Sequence, residues 1–438
     1  MKERLVAVVI TQFQSFLRLE SVGGILLLAS AGIALLWANS PWQESYHALW
    51  DLPVTVGIGP YQISYSLGHW VNDALMVIFF FVVGLEIKRE LLIGELSTRR
   101  QAALPIIAAI GGMLIPAGLY ALLNAGGPGS AGWGIPMATD IAFAIGVLTL
   151  IGPRVPFGLK VFLTAFAIVD DLGAVLVIAL FYTAELSLTA LAIAGLITLA
   201  LVGLNAGRVR LPLPYALLGG ALWLAVLSSG IHATIAGVVL AFTIPARSSI
   251  DAATLLVRGR TLLRRLETAA PPTAGGLSGE QQAIVQGLED ACDHVESPMQ
   301  QLEHRLHPWV TYCIMPVFAL ANSGVTITDD MSLGHPVALG IMMGLILGKQ
   351  IGITLFSWAA VRLGIASLPR GTEFRLIYGA AWLGGIGFTM SLFVATLAFG
   401  GSSVLEISKI GILSASVIAG IGGWLMLRWT LGIRRMAR

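Results

Sequence analysis

Apolar residues run through this chain in long, nearly unbroken stretches, near 21–38, 69–91, 102–124, 132–151, 159–183, 188–206, 212–229, 231–245, 308–325, 335–360, 375–399 and 409–430. A helix needs about 20 apolar residues to cross a bilayer, so the pattern predicts about twelve transmembrane helices. Two stretches differ from the rest. Gly132, Gly134 and Pro136 crowd one, and Gly384, Gly385 and Gly387 the other. Clustered glycine and proline weaken a helix, and non-helical backbone at membrane depth survives only where it is buried in protein or lines a cavity. Both stretches are expected to be interrupted spans.

Composition agrees with this and excludes a soluble domain. The 438 residues are 56% hydrophobic and only 11% charged, which is more apolar side chain than a soluble core can hide. The fold class is therefore an all-α polytopic membrane protein, a single transmembrane domain over residues 1–430 with a basic tail at 431–438. The net charge of +2 says little, but its placement says more. Lys and Arg concentrate in alternate connections: Lys2 to Arg18, Lys88 to Arg100, Arg154 and Lys160, Arg208 and Arg210, Arg247 to Arg305, Arg362 to Arg375, and the tail from Arg428. The connections at 39–68, 125–131, 184–187 and 326–334 contain none, and only Lys409 breaks the alternation. By the positive-inside rule both termini are expected in the cytoplasm. The start of the chain lacks a small-residue cleavage site and reads as a short surface helix. Cys292 and Cys313 have neither metal-ligand spacing nor a disulfide framework.

Two connections carry structure of their own. In 40–67, β-rich runs flank Gly57–Pro60 and predict an external β-hairpin, whose open edge suits pairing with a second copy of the chain. In 246–307, the longest cytoplasmic connection, TLLVRGRTLLRRLETA and GEQQAIVQGLEDACDHVESPMQQLEHRL are helix-patterned and amphipathic on either side of PPTAGGLSG. A solvated or membrane-lying helical linker is expected there.

Candidate chemistry lies in the ionisable residues inside the spans. Asp170 and Asp171 stand side by side near the middle of FLTAFAIVDDLGAVLVIALFY. One ionised aspartate at a membrane centre costs about 2.5–3.5 kcal/mol, so two adjacent ones call for protons, a counter-charge or a bound cation. Lys349 is mid-span and too deep to snorkel, so it needs an acidic or carbonyl partner. Asp140 follows directly on the first suspected break, where it can offset the positive ends of half-helices. Asp73 lies near an external span end, and His232 at a helix–helix turn where a structural hydrogen bond is the expected role. One broken span followed by the acid pair, and Lys349 followed by the other, fit an inverted repeat with two crossing helices.

The segments WVNDALM, FFVVGLEIKREL, PMATDIAFAIGVL, AFAIVDDLGAVLVIALFYT, GIHATIAGVVLAF, QLEHRLHPWV, FALANSGV, LGKQIGI and WLGGIGFTMSLF together resemble the successive motifs of the NhaA-type sodium/proton antiporters, in one order from about residue 12 to 425. The resemblance implies a bacterial inner-membrane protein that exports Na⁺ or Li⁺ for protons, electrogenically and more actively at alkaline pH. By motif position it implies Asp170 and Asp171 as the ion and proton site, Thr139 and Asp140 at the crossing with Gly384, Gly385 and Gly387, and Lys349 as charge partner. It places Glu86, Glu90, Glu303, His304 and His307 in a pH-responsive cytoplasmic mouth, and Asp73 also matches. The stretch 248–298 is longer than the family's linker.

No cofactor and no nucleic acid are expected; the partners are Na⁺, H⁺, the bilayer and a second copy through the hairpin. There is no Walker A pattern. A sodium-coupled symporter would add a pocket for an organic substrate, which nothing marks. An intramembrane aspartyl protease would show G-x-G-D, whereas Asp140 follows Ala-Thr and Asp170 follows Ile-Val. A non-transporting sensor or scaffold stays open on sequence alone.

Overall fold

The computed structural model describes residues 22–58, 61–152, 154–183, 186–248, 252–269, 277–293, 295–326 and 333–436. The surface helix expected before residue 21 and the hairpin tip at 59–60 lie outside them. The first span, α1 (Val22–Ala38), is followed across a 114° bend by α2 (Gln43–Asp51). The hydroxyl of Tyr46 on α2 donates to the carbonyls of Leu320 (2.8 Å) and Ala321 (3.0 Å), which ties this turn to a distant helix end.

The expected hairpin forms as β1 (Pro53–Ile58) and β2 (Tyr61–Ser66), antiparallel from Pro53↔Ser66 to Ile58↔Tyr61. Its backbone docks on the next helix through Trp70 Nε1, which donates to the Val54 carbonyl at 3.0 Å. That helix, α3 (Leu67–Leu92), begins at Ser66, whose side chain accepts from the His69 N–H. Then come α4 (Arg99–Asn124), a 3-10 helix at Ser130–Met137, α5 (Ile141–Leu150) and α6 (Phe157–Phe181). Beyond α6 lie α7 (Leu188–Ala206), α8 (Pro212–Leu227) and α9 (Thr234–Thr243).

The long connection holds α10 (Ala252–Thr268) and α11 (Gly279–Asp293). Sequence pattern alone extends α11 without a stop to Leu306. The structure instead starts a new helix, α12 (Pro298–Trp309), because Ser297 and Gln300 form a reciprocal capping box and Pro298 stands in the first turn. A π turn at Val310–Ile314 leads into α13 (Met315–Asn322), and α14 (Pro336–Arg362), α15 (Phe374–Gly384), α16 (Phe388–Phe399) and α17 (Val404–Met436) complete the chain.

Within the described residues, helices occupy most of each of the twelve apolar stretches. Among the described residues seven helices are long and apolar enough to cross a membrane, or nine if each of two bent pairs counts as one span. The stretches left over are met by α8 and α9, which are short, and by the π-bulged run through α12 and α13.

Burial sorts these helices into core and periphery. The apolar window of α6 is 61% buried inside the protein and that of α7 only 11%, so α6 is central, and α7 turns Leu188, Leu191, Leu196 and Leu199 outward, as a lipid-facing helix does, while Leu201 faces the core. Around α6 the helices approach closely at small residues. The backbones of α4 and α14 touch where Gly111 meets Gly352, and a Cβ at either position would run into the other helix's carbonyl. This contact holds α14, and with it Lys349, against the centre of the molecule.

Candidate functional site

The backbone breaks where the glycines and Pro136 predict, and its freed polar groups pair across the crossing. Between the 3-10 helix and α5 the chain at Ala138–Asp140 is extended, while α15 and α16 meet at a 45° bend over Gly385–Gly387. The Asp140 N–H donates to the Ile386 carbonyl at 2.7 Å, and the Thr139 hydroxyl to the Gly384 carbonyl at 2.8 Å. From the other side Ser391 Oγ donates to the Ile135 carbonyl at 2.8 Å, and the Phe388 N–H to Ser416 Oγ at 3.0 Å. An unpaired backbone group in hydrocarbon costs several kcal/mol, so these bonds are what permit two broken helices at this depth.

Asp140 caps both half-helices at once. Its carboxylate accepts from the Phe143 N–H at the start of α5 (3.0 Å) and from the Thr389 N–H at the start of α16 (3.2 Å), and also from the Thr389 hydroxyl. One anion thus answers two partially positive helix N-termini. The sequence predicts the position of Asp140 but not Thr389, whose role shows only once the two breaks are superposed.

Beside the crossing, α6 presents its acid pair. Lys349, fully buried, donates to both oxygens of Asp170, at 2.8 and 3.0 Å, and to Thr139 Oγ1 at 2.9 Å. Its ammonium also lies 5.6 Å from the centre of the Phe166 ring, one helical turn before Asp170. A π turn at Gly344–Gly348 immediately precedes Lys349 and, by inserting an extra residue, rotates it toward α6. Asp171, 2% exposed, is different: its Oδ1 has no hydrogen-bond partner among the described residues. Asp170 is paired and Asp171 is left with an unused acceptor, so the two adjacent acids are not equivalent.

At the Arg-rich end, Arg89 gathers part of the predicted mouth. Its guanidinium bridges Glu90 (3.0 Å) and Glu303 (2.8 Å), while His307 Nε2 lies 3.6 Å from Glu86. Burial pushes the Glu303 carboxyl from an ordinary 4.5 up to about 7, against the opposing pull of Arg89. His304 lies at the edge of this group: it is exposed and 3.9 Å from Glu296, and its charge acts on the Glu303 carboxyl. A cavity of about 40 Å³ is lined by Glu86 and His307 of the mouth, by Asp140 of the crossing, and by Thr311 and Met390 among others.

At the hairpin end, Asp73 sits in a π turn, 2.9 Å from His69 Nε2 and 3.6 Å from His232 Nε2. His232 also shares a hydrogen bond with Thr234 (2.9 Å). Sequence reasoning misses His69, although its i, i+4 spacing to Asp73 is visible, and it counts Arg89 only toward orientation.

Interrupted helices that cross inside a helical bundle, with a buried lysine–carboxylate pair beside the crossing, define a polytopic membrane protein built on the transporter plan. The family model described as Na⁺/H⁺ antiporter 1 matches residues 14–427, and the chain belongs to that family. It is 52% identical over 425 residues to the Na⁺/H⁺ antiporter NhaA of Koribacter versatilis, a match covering 96% of this chain and 92% of the relative. It is 53% identical over 419 residues to that of Oleidesulfovibrio alaskensis, covering 95% and 93%. The relative in Acidithiobacillus ferrooxidans is 51% identical over 424 residues, covering 95% and 97%.

Proposed function

We propose that this protein is a secondary active antiporter that exports Na⁺, or Li⁺, in exchange for protons. The exchange is electrogenic and pH-regulated, and Asp170 and Asp171 bind Na⁺ and H⁺ by turns as access alternates between the two sides. The observation that carries this reading is the asymmetry of the acid pair: Asp170 is neutralised by Lys349 while Asp171 keeps an unpartnered oxygen in a fully buried setting. A buried carboxylate in that position wants either a proton or a cation. Sodium is a hard cation that prefers oxygen, and the two carboxylates with Thr139 supply it. Because the same oxygens hold the proton, one ligand displaces the other. Competition at a single site, opened first to one side and then to the other, is exchange without ATP.

Electrogenicity follows in this scheme if Lys349 gives up its proton when Na⁺ takes Asp170, so that more than one proton returns per Na⁺. The mouth of Glu86, Glu90, Glu303, His304 and His307 around Arg89 is the pH-responsive element, a reading supported by Glu86 and His307 lining the same cavity as Asp140. We further read the twelve apolar stretches as twelve spans in an inverted repeat, with both termini in the cytoplasm of a bacterial inner membrane and the hairpin as a homodimer contact. The test is a pH-gradient dye in inside-out vesicles at alkaline pH. Na⁺ should collapse a preformed gradient with wild-type protein and leave it untouched with Asp171→Asn. No response of wild type to Na⁺ or Li⁺ at any pH would overturn the antiport reading.

A further inference from the structure

We propose that the basic helix α10, in the long connection between α9 and α12, binds anionic phospholipid headgroups at the membrane surface next to the transporter. This does not rest on the exchange reading; it concerns a segment that the site does not use.

Both ends of the connection are pinned together. The Met299 N–H at the start of α12 donates to the Pro245 carbonyl just after α9, at 3.2 Å. The excursion therefore leaves and returns at one point, at the foot of an apolar helix. From Pro245 to the start of α10 at Ala252 is seven residues. Even fully extended, they keep the start of α10 within about 25 Å of that point.

The surface of α10 suits the boundary between headgroups and acyl chains. The half-buried Leu255, Gly259, Leu262 and Leu266 mark one face, and Leu262 lies against Gly287 of α11. Next to that face Leu256 and Leu263 stand 59% and 51% exposed, and Val257 is 68% exposed. Large apolar side chains left in this position gain nothing from water. Arg258, Arg260, Arg264 and Arg265 are all exposed, and none makes an ion pair among the described residues. At 100° per residue Arg260 and Arg264 fall just beyond Leu256 and Leu263, where long arginine stems cover apolar surface while their heads reach phosphate.

Charge complementarity selects the occupant. Within Ala252–Thr268 the four arginines meet a single acid, Glu267, while Gly279–Asp293 carries Glu280, Glu289, Asp290 and Asp293 and no base. The helical pair has a basic and an acidic member, and an anionic surface attracts the first and repels the second.

The experiment uses full-length protein in lipid nanodiscs, made either of phosphatidylcholine alone or with about one-third phosphatidylglycerol, and follows amide hydrogen exchange by mass spectrometry. In the anionic discs exchange across 252–268 should slow by at least about tenfold, with the transmembrane helices unchanged, and high salt should reverse the slowing. The quadruple variant Arg258→Gln, Arg260→Gln, Arg264→Gln, Arg265→Gln should exchange at the phosphatidylcholine rate in both. Equal wild-type exchange in the two lipids overturns the proposal. So does slowing that spreads evenly over the protein, or slowing that survives the quadruple change.

Discussion

Lys349 and Asp170 stabilise each other only as a pair. Burying each charge costs several kcal/mol, offset here by a bidentate contact at 2.8 and 3.0 Å and by Thr139. Lys349→Gln leaves the buried Asp170 carboxylate without its counter-charge and should lower stability by about 3–5 kcal/mol, read as an earlier melting transition in detergent. Lys349→Arg keeps the charge but cannot titrate, so it should retain the fold and lose electrogenicity, measured as a shifted reversal potential in liposomes. Unchanged electrogenicity in that variant would reduce Lys349 to a static counter-charge.

Glu303 makes a second prediction at the same scale. Its carboxyl titrates near 7 when folded and near 4.5 when unfolded, so the folded protein holds a proton that the unfolded chain has released. Glu303 therefore contributes stability below about pH 4.5 that is lost as pH rises to about 7. Glu303→Gln stays neutral throughout, and its melting temperature relative to wild type should climb between pH 5 and 7 and level off above. If Glu303 is also the pH switch, the variant's activity profile moves; a profile that stays put assigns regulation to the acid pair itself. Among single residues Asp140, Asp170, Asp171 and Lys349 stand out in the sequence because each is an ionisable side chain in an apolar run, whereas the buried Glu303 enters only through the family resemblance. The sequence does not show which acid Lys349 chooses, because that depends on how α14 is rotated.

Elements are legible in proportion to how local their cause is. Glycine, proline and β-branched runs are local signals, and they locate both breaks and the hairpin. The π turns at Val71–Leu75, Val310–Ile314 and Gly344–Gly348 are not legible, because one inserted residue barely disturbs an apolar run. Lys88 is equally hidden: its ammonium caps the end of α9, donating to the Phe242 carbonyl at 2.7 Å, a use that only packing reveals. The crossing itself is testable through its shared cap. Asp140→Ala removes the acceptor from two helix starts and should cost about 2 kcal/mol or more, seen as lowered thermal stability, while Asp140→Asn keeps one acceptor oxygen and should fall between. Gly385→Ala should fail in another way, since its Cβ would meet the Leu345 carbonyl in the turn before Lys349 and push α14 from the site. Wild-type stability and exchange in both Asp140→Ala and Gly385→Ala would contradict the role given to the crossing.

For the molecule as a whole, charge placement is what predicts an orientation, with Lys409 as its exception. Lys409 is paired with Glu406 at 2.8 Å and so adds little net positive charge where it stands. Assembly is less legible, since an open two-stranded edge is compatible with a partner without naming one. Replacing 53–66 by a short glycine–serine linker should convert dimers to monomers by light scattering while Na⁺-driven exchange persists; dimers that survive the change place the contact elsewhere. In the proposed exchange, Na⁺ and protons compete for one carboxylate pair. This competition is tested most directly by calorimetric titration of purified protein with Na⁺ in buffers of different ionisation enthalpy, which counts the protons released on binding. Wild type should release protons on binding Na⁺ at neutral pH, fewer as pH rises, and Asp171→Asn should release none. Na⁺ binding to wild type without proton release at any pH would contradict that competition.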